Sequence, residues 1–146
     1  MHGVVDLDRV PDFEITECFE KVTEPELDLL IEKTRFNGYK ILKARSPKDF
    51  LSSIAYMYKS IHVPVWKVVI PKVDKYGCVE GQGAIYYIVR GILKNNSKAI
   101  VVFRGTYGYH GTGPYESAFV EKGLKFLGMS IEERDGDYLL TLLDIF

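Results

Sequence analysis

The chain has 146 residues, 47% of them hydrophobic and 13% aromatic, which is enough for one packed core and too short for two ordinary domains. Its 19 basic and 20 acidic residues leave a formal net charge of -1, so no positive excess exists to collect phosphates along a duplex, and nucleic-acid binding is disfavoured. No apolar run approaches the roughly 20 residues of a membrane span, and residues 1–11 lack the basic start and apolar centre of a secretion signal; a cytoplasmic location is expected.

Residues 1–10 read as a loosely ordered leading segment of one domain covering 1–146, ahead of a strand over 13–19. Thr23-Glu24-Pro25-Glu26 has the chemistry of a capping box: a side-chain oxygen accepts from the unpaired amides that open a helix. Leu27, Leu30, Ile31 and Thr34 follow at helical spacing, and Asn37-Gly38 supplies a left-handed exit. A strand is expected over 39–44. Ser46-Pro47-Lys48-Asp49 opens a second helix, over 47–60, with Phe50, Leu51, Ile54, Ala55 and Tyr58 on one stripe.

After a strand over 65–70, residues 83–93 predict a helix with Ile85, Tyr86, Tyr87, Ile88, Val89, Ile92 and Leu93 around most of its circumference. Such a helix is buried or covers a partner. The run 99–103 is apolar without alternation, as in a strand covered on both faces. Residues 114–127 predict an amphipathic helix with Phe119, Val120, Leu124 and Leu127 on one face and Gly128 as its stop. The end reads as a hairpin, 129–134 and 138–143, turning at Asp135-Gly136. The fold class expected from this order is α/β: a mainly parallel, doubly wound sheet with helices on both faces, β-α repeated four times, closed by an antiparallel C-terminal hairpin.

Two segments share an outline, Tyr76-Gly77-Cys78-Val79-Glu80-Gly81-Gln82-Gly83 and Tyr107-Gly108-Tyr109-His110-Gly111-Thr112-Gly113. Each is Tyr-Gly, a spacer, then Gly-x-Gly leading into an expected helix. Glycines permit close backbone approach, and the first amides of a helix carry partial positive charge, so such turns can hold an anion. The candidate ligand is a small anion, a nucleotide or phosphorylated metabolite. Arg104, Gly105, Thr106, Tyr107, Tyr109, Gly111, Thr112, Gly113 and Ser117 would hold it from the second turn, and Glu80, Gly81 and Gly83 from the first. His110 is the candidate proton carrier, and Glu80 and Glu116, at comparable places in the two turns, are a candidate acid/base pair.

Neither turn carries the P-loop ending or the full dinucleotide pattern, so no cofactor is named. His2, His62 and His110 are scattered and predict no metal site, and Cys18 and Cys78 form no Cys-x-x-Cys pair and are expected to be reduced. The scarcity of Gln and Asn beside frequent Lys and Glu fits a protein of a hot environment. The alternative function is an interaction or self-association module, pairing through the apolar helix 83–93, with glycines that only shape tight turns.

Two short likenesses add nothing firmer. Ala99 through Thr106 resembles a strand of the class 3 lipases, which run into Arg-Gly-Thr, but the Gly-x-Ser-x-Gly elbow that family needs is missing. Arg104-Gly105 and His110-Gly111-Thr112 are similar to fragments of ADP-ribosyltransferases, with too little chain after them for that family's remaining strands.

Overall fold

The computed structural model describes residues 23–57, 65–107 and 112–134, with backbone alone at residues 79–80 and 112–114. In chain order the elements are α1 (Glu24–Lys33) with a 3-10 extension (Thr34–Asn37), β1 (Lys40–Lys43), α2 (Pro47–Ala55), β2 (Val65–Val73), β3 (Val79–Ile92), β4 (Lys98–Tyr107), α3 (Thr112–Phe126) and β5 (Ile131–Glu133). They form a mixed sheet of order β1-β4-β3-β2-β5. Its centre is an antiparallel meander of β2, β3 and β4, while β1 joins β4 and β5 joins β2 in parallel.

The expected four-fold β-α repeat is therefore corrected. Residues 83–93 do not make a helix: 83–92 are the larger part of β3, paired on one side with β2 and on the other with β4. The reason is burial on both faces. A central strand covered above and below loses its polar alternation, so Ile85 through Val89 looks the same as a buried helix to any test of periodicity. Self-association through a helix at 83–93 falls with it, because the side chains from Ala84 to Val89 are all inside.

Period two sorts the core. Trp66, Val68, Ile70, Ala84, Tyr86, Ile88, Ile100 and Val102 face Leu27, Leu30 and Ile31 of α1. Val65, Ile85, Tyr87, Val89, Ala99, Val101 and Phe103 face Phe50 and Ile54 of α2 and Val120 and Leu124 of α3. Alternation along a strand sends successive side chains to opposite faces, and helices on each face cover both sets.

Local chemistry sets the helix ends where the sequence marked them. Thr23 Oγ1 accepts from the Glu26 amide at 3.3 Å, and Glu26 Oε1 accepts from the Thr23 amide at 2.8 Å, a complete capping box. Ser46 Oγ accepts from the Asp49 amide at 3.1 Å to open α2. The chain leaves the 3-10 turn through Gly38, at φ +88°, and leaves α3 near Gly128, at φ +78°.

The meander turns are side-chain-braced loops. Asp74 Oδ1 accepts from the amides of Tyr76 and Cys78 at 2.8 and 3.0 Å, so Tyr76-Gly77 is the tip between β2 and β3, not the entrance to a helix. Of the expected C-terminal hairpin, β5 stands as a three-residue strand parallel to β2. Its turn at Asp135-Gly136 and second arm at 138–143 lie outside the described residues, as does the strand expected over 13–19.

Candidate functional site

Antiparallel pairing joins the last residue of the first glycine-rich segment to the first residue of the second. Gly83 is the register partner of Tyr107, Ala84 of Thr106, Ile85 of Gly105 and Tyr86 of Arg104. The first segment is turn up to Cys78 and strand from Val79 on, so Glu80, Gly81 and Gly83 open no helix and offer no helix-end amides. The second does connect a strand to a helix, with Thr112 and Gly113 in the first turn of α3. Tyr109, His110 and Gly111 lie outside the described residues.

The glycines themselves have packing reasons. A Cβ at Gly83 would collide with the Ile70 carbonyl oxygen and sit 2.9 Å from the Tyr107 ring, which occupies the space a side chain would need. A Cβ at Gly105 would lie 3.1 Å from Ser117 Oγ. Gly81 has nothing within 4 Å of the same position. Ser117 is buried, and its hydroxyl donates to the Thr106 carbonyl over a long 3.5 Å.

The sheet then divides the proposed ligand residues. Gly83, Gly105 and Tyr107 belong to the α3 face, whereas Arg104 lies on the α1 face, where its Nε donates to Glu24 Oε2 and its Nη2 donates to Glu24 Oε1 at 3.2 Å. Beside that pair the Tyr86 hydroxyl contacts Asp28 Oδ1 at 2.7 Å and Glu24 Oε2 at 2.9 Å. Arg104 holds the Glu24 carboxyl below its usual range, against a smaller opposing effect of burial. Burial, followed by the two carboxylates, pushes the Tyr86 phenol well up. This cluster fastens the first turns of α1 to the sheet, and it occupies the cation meant for the ligand.

An analogous arrangement on the α3 face was not anticipated. Tyr87 Oη donates to Glu121 Oε2 at 2.6 Å, and Lys67 Nζ reaches the same oxygen at 2.9 Å. Burial pushes Glu121 up, but the phenol and the ammonium together outweigh it and hold the carboxyl below its ordinary value. The sequence did carry a signal for both clusters. Adjacent tyrosines in a strand must face opposite layers, and each then needs a polar partner from the helix covering it.

The outer side of α3 is also a correction. Phe119 was expected to share the inward stripe with Val120, Leu124 and Leu127, yet Ser117, Val120 and Leu124 make the buried face. Tyr115, Phe119 and Phe126 point away from the sheet with 78%, 56% and 90% of their surface exposed. Single exposed apolar residues are ordinary, but three aromatic rings along one helix form a patch.

Among the described residues no group of three His, Cys, Asp or Glu side chains could hold a metal, and no helix is long and apolar enough to cross a membrane. No protein-family model, curated protein or solved structure matches the chain.

Proposed function

We propose that this domain is a protein-interaction module whose recognition surface is the outer face of α3. The observation that carries the reading is the exposure of Tyr115, Phe119 and Phe126 on a helix whose opposite face is anchored in the core by Val120 and Leu124. A surface kept for docking contributes little to folding. The double variant Phe119→Ser/Phe126→Ser should therefore fold normally, with unfolding free energy within about 0.5 kcal/mol of the parent, as for surface substitutions generally. Chemical modification of Tyr115 in dilute protein should be fast. A loss of more than about 2 kcal/mol, the scale of a disrupted core, or a Tyr115 protected at high dilution, would mean that the chain covers this face itself and that the rings serve the fold.

A second reading, binding of a small anion where β4 runs into α3, is favoured by one observation. β4 ends at Tyr107, the register partner of Gly83, and α3 opens five residues further on at Thr112, where the first amides of a helix lack intrahelical partners and can hold an anion. This reading stands without Arg104, which is paired with Glu24. Thermal unfolding with inorganic phosphate, nucleotides and sugar phosphates tests it: a ligand that binds the folded state raises the midpoint, and His110→Ala should remove the rise.

A further inference from the structure

On the reading that the outer face of α3 is a docking surface, we infer that its occupant is a second copy of this chain, with the two α3 helices antiparallel about a two-fold axis. The stripe consists of Tyr115, Phe119, Lys122 and Phe126, exposed residues at spacings of four, three and four. At about 100° per residue these positions fall within an arc of about 60° and span roughly 16 Å of helix.

The spacing is the same read in either direction. Two such stripes laid antiparallel set Tyr115 of each copy against Phe126 of the other, and Phe119 against Lys122. Every position then has a complementary partner: ring on ring at both ends and an ammonium over a ring face at the two inner positions. The parallel alternative would set Lys122 against its own counterpart, a like-charge contact, and would align the two helix dipoles unfavourably. A two-fold interface requires one patch to complement itself, and this one does so only in the antiparallel sense.

The patch is small. Three aromatic rings of roughly 200 Å² each per copy, not wholly exposed, bury on the order of 1,000 Å² in total, the low end for a specific interface. The dimer is therefore weak and depends on concentration.

Light scattering over about 10 µM to about 1 mM, the range of weak complexes, tests this with the full chain. The expected result is a mass that climbs from 16.7 kDa toward twice that value. Lys122→Glu, which puts a carboxylate over the ring face, should move the midpoint at least about tenfold higher, the scale of one lost close contact. For orientation, chains carrying Tyr115→Cys and Phe126→Cys, each on a Cys18→Ser/Cys78→Ser background, are oxidised separately and mixed. A disulfide-linked pair formed only in the mixture supports the antiparallel arrangement. Ready linkage of the Tyr115→Cys chain to itself overturns it. A mass that stays monomeric throughout overturns the second copy as occupant. If the Phe119→Ser/Phe126→Ser chain then still folds like the parent, the docking surface survives for another protein; if it unfolds, both readings fall.

Discussion

Gly83 and Gly81 stand two positions apart on the same strand and have opposite surroundings. At Gly83 a methyl group would meet the Ile70 backbone oxygen and the Tyr107 ring, and a backbone atom in the middle of a ladder cannot easily move aside. At Gly81 the same methyl group would meet nothing within 4 Å. Gly83→Ala should cost about 1–3 kcal/mol, the usual scale of overpacking, whereas Gly81→Ala should be neutral or slightly stabilising because it restrains the unfolded chain. Denaturant unfolding of the two variants side by side checks this. A tolerant Gly83 would mean that the Tyr107 ring is free to leave, and the case for glycine as a ligand-facing residue there would reopen.

At the scale of elements, β3 acts as the post to which helices on both faces are tied. Tyr86 reaches Glu24 and Asp28 of α1, and the next residue, Tyr87, reaches Glu121 of α3. Burial first, and then the neighbouring carboxylates, raise both phenols above the ordinary value of 10.0. A raised folded value gives stability that is fully present below the unfolded pKa and is lost as pH rises past it. Ultraviolet titration should thus show Tyr86 and Tyr87 silent through the usual range and ionising only as the protein unfolds in strong alkali. Tyr86→Phe and Tyr87→Phe should each remove one silent phenol; normal ionisation of all tyrosines in folded protein would contradict both clamps.

What was legible in the sequence follows the range of the forces. Thr23, Ser46, Gly38 and Gly128 announced helix ends because capping is settled within four or five residues of chain. Residues 83–92 misled because their burial depends on α1, α2 and α3, distant in sequence, and a strand with both faces covered has no period of its own. The site shared that fate. Gly83 pairs with Tyr107, so the two segments meet at one register position, but alternation along β4 sends Arg104 to the far face, where Glu24 claims it. That partner, eighty positions away, leaves no local mark at Arg104.

For the molecule as a whole, the two carboxylates that tie helices to the sheet give acid a defined point of attack. Arg104, more than any other neighbour, holds Glu24 down, and Tyr87 with Lys67 holds Glu121 down against the upward push of its burial. Both folded values lie below the reference of 4.5, so their stabilisation is complete above that pH and is lost as pH falls through the folded values. The thermal midpoint should hold nearly level from about pH 7 to about pH 5 and drop below about pH 4, as depressed carboxylates become protonated. Both groups are partly exposed, which keeps each contribution modest and makes it weaken with added salt. Glu24→Gln and Glu121→Gln should lower the plateau and make the acid limb shallower, since the variant has no proton to gain at that site. Because the two carboxylates secure helices on opposite faces of one sheet, their effects on the midpoint should add in the double variant, with no coupling through a shared neighbour. A double variant whose acid limb kept the parent slope would show that other carboxylates, not these two ties, set the acid stability of the fold.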